Sequence, residues 1–134
     1  MVITDIEQID AIAVEMFGTG KGFVSVDMGD YSSVKVHSSL LKAVKVVVPQ
    51  ITAGTLTALD NELKSVCTRK VCNLLMYIQG KEIKCGEKAI TVNQLQLLQE
   101  IINRNVSDDT EVIWGMGEGM SVDDDITILF VVGF

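Results

Sequence analysis

The sequence predicts an α/β (α+β) two-layer sandwich: a mixed four-stranded sheet with helices packed on it. Strand-like runs alternate along the chain with segments of helical periodicity, and alternating elements of this kind build layered α/β domains. The final stretch, residues 126–134, runs almost without a polar atom, which suits a strand inside a sheet and covered on both faces. A chain of 134 residues, 48% apolar and 22% charged, has the size of one domain and the balance of an ordinary globular protein.

The elements follow in order. Thr4-x-x-Glu7 reads as a capping box, and Asp5 and Glu7 put negative charge in the first helical turn, where the helix dipole favours it. Ile6, Ile9, Ala13 and Met16 recur at helical spacing, predicting an amphipathic helix over residues 5–17. Gly18, Gly20 and Gly22 then open a loop. With Thr19 and Lys21 it looks like a phosphate cradle, but it follows a helix and precedes a strand. A phosphate-binding loop has the reverse order, so the stretch reads as a turn.

Residues 23–28 form the first expected strand, closed by Gly29-Asp30. Residues 31–64 read two ways. Val34, Leu41, Val44 and Val48 fit a helix face that Pro49 would end, whereas Val46-Val47-Val48 is strand-like. Residues 55–63 make a helical piece around Leu56, Leu59 and Leu63. The second strand spans 71–78, and 81–89 is a polar surface loop. Thr91-x-x-Gln94 is a second capping box, launching an amphipathic helix through Leu95, Leu98, Ile102 and Val106. Residues 105–110 lead out of it. The third strand, Glu111-Val112-Ile113-Trp114, breaks at the glycine-rich 115–119. The fourth is 126–134, and these two are expected to pair as neighbours across a Gly- and Asp-rich loop.

Charge and composition exclude several classes. A net charge of −7 and a pI near 4.5 argue against a nucleic-acid or anionic-membrane surface. No apolar run approaches the ~18 residues of a bilayer span, so a soluble, cytoplasmic protein with no direct membrane insertion is expected. Cys67, Cys72 and Cys85 match no zinc or thioredoxin-like spacing and read as free thiols. The single His37 has no neighbour with which to build a metal site, so none is assigned. No Ser/His/Asp or Cys/His set is spaced for nucleophilic work. The acids Asp123, Asp124 and Asp125 read as a solvated loop. The Asp124-Asp125-Ile126-Thr127-Ile128 ending is similar to that of metal-dependent serine/threonine phosphatases, but the many other aspartates of a two-metal site are missing.

The ending carries a closer resemblance. Glu111-Val112-Ile113-Trp114-Gly115, an acidic loop, and Asp125-Ile126-Thr127-Ile128-Leu129-Phe130-Val131-Val132-Gly133-Phe134 together resemble the close of the C-terminal domain of FtsZ, the bacterial tubulin relative. That domain has a strand of the form N-I-I-[FW]-G, a polar loop, and then D-x-[IV]-x-V-T-V-[IV]-A-T-G-[FI]. Leu74-Leu75-Met76-Tyr77-Ile78-Gln79-Gly80 is similar to its L-V-N-I-T-[AG]-G strand, residues 91–104 sit where its next helix lies, and Leu59-Asp60-Asn61-Glu62-Leu63 resembles its S-[NS]-P-L-L helix end. The resemblance covers nearly the whole chain in order; residues 31–55 are longer than the family pattern.

The resemblance implies one FtsZ C-terminal-like domain over residues 1–134, acting in polymer assembly during bacterial cell division through a longitudinal contact with an FtsZ-like subunit or with itself, as an oligomer. The family's functional word, N-x-D-x-x-D, enters the nucleotide pocket of the next subunit. There its acids polarise the water that attacks the γ-phosphate. Its spacing gives Asp5-x-Glu7-x-x-Asp10, with Asp where the family has Asn and Glu for the first acid, which makes Asp5, Glu7 and Asp10 the implied catalytic residues, acting in trans. A second register places Asp5 on the first acid and leaves Gln8 on the second. Glu7 and Asp10, three apart on a helix, share a face, and a carboxylate within one water of a phosphate can orient that water. Each acid also has a structural explanation, as a helix cap or a solvated surface residue. No G-G-G-T-G-S-G loop is present, so no cofactor is expected in this chain; GTP is implied only in a partner or in an absent N-terminal domain. The alternative is a free-standing oligomerising or protein-binding module of the same fold with no nucleotide-linked activity.

Overall fold

The structure, a computed structural model, describes residues 2–19, 21–24, 26–80, 89–118 and 125–134. Along these the order is β1 (Val2–Ile3), α1 (Ile6–Thr19), β2 (Lys21–Val24), α2 (Met28–Val36), β3 (Leu41–Val48), α3 (Ala53–Val66), β4 (Asn73–Gln79), α4 (Val92–Asn105), β5 (Glu111–Glu118) and β6 (Ile126–Gly133). The strands form one six-stranded sheet in the order β1-β3-β6-β4-β5-β2. It is mixed: β4 and β5 run parallel, and every other neighbouring pair is antiparallel.

β4 and β6 form its centre. Residues 73–78 of β4 are all buried, as is nearly all of β6, which is why both read as continuous apolar runs rather than alternating ones. On one face, Ile9, Ala13 and Met16 of α1 and Tyr31 and Val34 of α2 pack on Ala43, Leu75, Tyr77, Leu129 and Val131. On the other, Leu59, Leu63 and Val66 of α3 and Leu98, Ile101 and Ile102 of α4 pack on Val44, Leu74, Met76, Ile78, Ile128, Phe130 and Val132. Burying each such aliphatic or aromatic side chain contributes about 1.5–3 kcal/mol.

The α/β class, a mixed sheet with helices packed on it, is therefore as the sequence predicts. Among the described residues the strands number six rather than four: β1 is a two-residue edge strand with no readable pattern, and β3 lies in the stretch that read equally as helix or strand. Helices cover both faces, giving three layers rather than two; a sheet whose middle strands are apolar on both sides needs both covers.

Other boundaries moved for local reasons. The expected strand over 23–28 stops at Val24, because Asp27 caps α2. Its carboxylate accepts from Asp30 N–H and the Asp30 carboxylate from Asp27 N–H, each at 3.0 Å. The ambiguous stretch divides: Val34 lies in α2, while Leu41, Val44 and the Val46-Val47-Val48 run lie in β3. β-branched residues favour the pleated strand, and Pro49 follows that strand instead of ending a helix. β5 passes through Gly115 and Gly117 to Glu118 rather than breaking at Gly115.

The final hairpin is not formed. β5 and β6 flank β4 on opposite sides, because the crossover through α4 lays β5 parallel to β4, and β6 returns antiparallel on β4's other edge. The capping box at Thr91 and Gln94 is present, and Gln94 also donates to Ile51 O at 2.9 Å, tying α4 to the entry of α3. The expected surface loop lies, through residue 88, outside the described residues, as do Cys85, Asp123 and Asp124. The turn expected at 18–22 is displaced: residues 18 and 19 belong to α1 and residues 21 and 22 to β2, with residue 20 outside the described set.

Candidate functional site

The acids Asp5, Glu7 and Asp10 lie at the start of α1. Asp5 O accepts from Ile9 N–H at 3.0 Å, which makes Asp5 the residue that begins the helix. Its carboxylate accepts from Glu7 N–H at 3.0 Å, satisfying one of the orphan donors of the first turn. The expected Thr4–Glu7 box gives way to this cap, because the Glu7 N–H is taken by Asp5. Asp5 and Glu7 are both exposed.

Asp10 is placed differently. One turn further along α1, it faces α2, where Tyr31 and Lys35 stand at i and i+4 on the same side. The Tyr31 hydroxyl donates to Asp10 Oδ1, and Lys35 Nζ lies 3.1 and 3.0 Å from the two carboxylate oxygens. The Tyr31 hydrogen bond, then the Lys35 contact, hold the Asp10 carboxyl below the usual carboxylate range. Burial, reinforced by Asp10, pushes the Tyr31 phenol up. The Tyr31 side chain is 2% exposed and the Phe17 ring lies beside it, itself edge-on to Tyr77 at 5.0 Å. The Asp10 side chain keeps 39% exposure and Lys35 44%.

The structure thus joins Asp5 to Glu7 through the cap and joins Asp10 to α2. Asp10 is an ionised carboxylate with part of its acceptor capacity already used, suited to orienting a water rather than removing its proton. Tyr31 and Lys35 are the members of this cluster that sequence reasoning missed. Their i,i+4 spacing is the signal, and it lies inside the stretch whose helical or extended character was undecided.

The remaining chemical candidates have structural roles. His37 Nδ1 lies 2.8 Å from Ser33 O at the end of α2. Cys67 is half-buried and burial pushes its thiol up to about 11, while Cys72 is exposed and free. Among the described residues no group of His, Cys, Asp or Glu could hold a metal, and no helix is long and apolar enough to cross a membrane.

A cleft of about 530 Å³ lies at the C-terminal ends of α3 and α4, lined by Arg69, Lys70, Arg104, Asp109 and their neighbours. Its cations are already engaged: Lys70 lies 3.9 Å from Asp109, Arg104 lies 3.6 Å from Asp60, and Arg69 sits 5.0 Å from the Phe134 ring centroid.

No protein-family model matches this chain, and no curated protein matches it in sequence. Solved structures do match it in shape. A tryptophan-to-tyrosine mutant of FtsZ from M. jannaschii superposes over 96% of this chain and 37% of its own, with a TM-score of 0.65 and 14% identity. An empty FtsZ dimer from the same organism superposes over 85% of this chain and 32% of its own, with a TM-score of 0.59 and 12% identity. The chain spans about a third of the length of those FtsZ chains. At such identities the likeness is one of architecture, and its content is that this chain has an FtsZ-like fold.

Proposed function

We propose that this chain is an assembly domain: it makes a longitudinal contact through the start of α1 and presents Glu7 and Asp10, with Asp5 at the cap, to the GTP site of a neighbouring FtsZ-like subunit, in the cell-division role that the sequence resemblance implies. The observation that carries this reading is that α1 opens on carboxylates at the surface of an FtsZ-like fold, with Asp5 and Glu7 exposed and Asp10 partly so. One FtsZ structure it resembles is described as a dimer, and assembly is carried over from there. The nucleotide belongs to the partner. Within this chain the glycine-rich residues 18–22 join a helix to a strand, the wrong order for a phosphate cradle.

In this reading Glu7 and Asp10 hold the attacking water in place. Lys35 restrains Asp10. The test is phosphate release by a GTP-loaded FtsZ-like subunit mixed with this chain. Wild type accelerates release, and Glu7→Gln and Asp10→Asn, checked for folding by circular dichroism, lose most of that acceleration. An unchanged rate with wild type, or equal rates for wild type and both variants, overturns the proposal.

A second reading is a protein-binding or oligomerising module that meets no nucleotide. It is favoured by the structural work two of the acids already do: Asp5 caps α1, and Asp10 ties α1 to α2. Lys35→Ala separates the readings. It frees the Asp10 carboxylate, so it raises phosphate release if Asp10 handles water and leaves it unmoved if Asp10 only braces the helices.

A further inference from the structure

The two short edge strands cover complementary halves of the sheet's two edges. Following the pairing across the sheet, Val44 lies in one row with Phe130, Met76 and Trp114, and Val46 lies in one row with Ile128, Ile78, Met116 and Val24. On the β3 side, β1 occupies only the rows of Ala43 and Val44. Among the described residues the edge of β3 from Lys45 to Val48 has no strand beside it. On the β5 side, β2 occupies only the rows of Met116, Gly117 and Glu118, and the rows of Met116 and Gly117 are those of Val46 and Val47. Among the described residues the edge of β5 over residues 111–115 is open. One edge projects where the other is recessed.

The strand directions agree as well. β5 runs parallel to β4, which is antiparallel to β6, which is antiparallel to β3, so β3 and β5 point the same way. β1 and β2 both run against them. Each edge strand can therefore pair antiparallel with both its own neighbour and the facing edge of another copy.

We propose that a second copy of this chain docks edge to edge. β2 of one copy then fills the recess beside residues 45–48 of the next, and β1 of that copy fills the recess beside residues 111–115 of the first. Val24 comes opposite Val46, Gly22 opposite Val47, Val2 opposite Trp114 and Ile3 opposite Ile113. Unpaired edge N–H and C=O groups are the template on which strands add. The contact is heterologous, so it propagates past a dimer, into a ring or an open array, and sheet twist of about 20–25° per strand turns each copy relative to the last. It uses none of the α1 acids and needs no nucleotide or second protein, so it stands or falls independently of the proposed function.

The test is sedimentation velocity on the full chain over a concentration series, with crosslinking by single introduced cysteines in a background of Cys67→Ala, Cys72→Ser and Cys85→Ser. Mean sedimentation coefficient should rise with concentration past that of a dimer. Val47→Cys mixed with Gly22→Cys should form disulfide dimers at least tenfold more readily than either variant alone. Val46→Pro and Val47→Pro supply the control, since adjacent N–H groups of a strand point to opposite sides. One of the two keeps its fold by circular dichroism and abolishes association, because its N–H pointed outward. A monomer at every concentration overturns the proposal and leaves the short strands as ordinary blunted edges. Crosslinking of Val47→Cys only with itself overturns it too, since that marks a closed, two-fold pairing.

Discussion

At the scale of single residues, Asp10 shows how a group read as a surface acid becomes a brace. Tyr31→Phe deletes one donor to its carboxylate. We expect a loss of about 1–2 kcal/mol in urea unfolding, toward the low side of charge-assisted bonds because water reaches Asp10, with the Asp10 carboxyl moving back up in an NMR titration. The pH dependence follows from the directions of the shifts. Asp10 is depressed in the folded state, so its contribution is present above the ordinary 3.8 and is lost as pH falls through the lower folded value. Asp10→Asn should therefore narrow its stability gap to wild type in acid. The buried phenols Tyr31 and Tyr77 are raised, so their contribution is present below 10.0 and lost as pH climbs above it. Wild type should lose stability there, and Tyr31→Phe should lose less.

Gly133 is a second residue whose role is visible only in three dimensions. A Cβ there would stand 1.9 Å from Ser38 Oγ and 2.9 Å from Ser38 Cβ, because the connection from α2 to β3 crosses the end of β6. Gly133→Ala should cost about 1–3 kcal/mol as overpacking, and Ser38→Gly in the same chain should recover most of it, read as urea midpoints.

At the scale of elements, legibility tracks how local the deciding interactions are. The helix from Thr91 was readable because its cap, its apolar stripe and its partner Gln94 lie within a few turns of one another. Thr91→Ala should cost about 1 kcal/mol and speed amide exchange in the first turn of α4. β4 and β6 were readable from continuous apolar runs. The start of α2 was not, because Asp27 pairs with Asp30 in a box that usually ends in Glu or Gln, and the alternating residues before it imitate a strand. Nor was the separation of β5 from β6. Which strand lies between them is decided by the crossover through α4 and by burial of β4, both non-local. The acids of α1 were legible as residues, but their division into a cap, an exposed carboxylate and a brace depends on where α2 docks.

At the scale of the whole molecule, one sheet carries two separate helical layers, and the α1 acids sit on the α1–α2 side with Lys35 beside Asp10. The fold is FtsZ-like, and the chain corresponds to about a third of an FtsZ chain. The carboxylates that stand at the surface at the start of α1 are why a contribution to a neighbour's site is the activity proposed. The most direct measurement is amide hydrogen exchange on this chain with and without a GTP-loaded FtsZ-like subunit. Slowed exchange is expected over the first turns of α1, residues 6–11, with α4 unchanged. Unaltered exchange across α1 in a complex that demonstrably forms would contradict the proposed function.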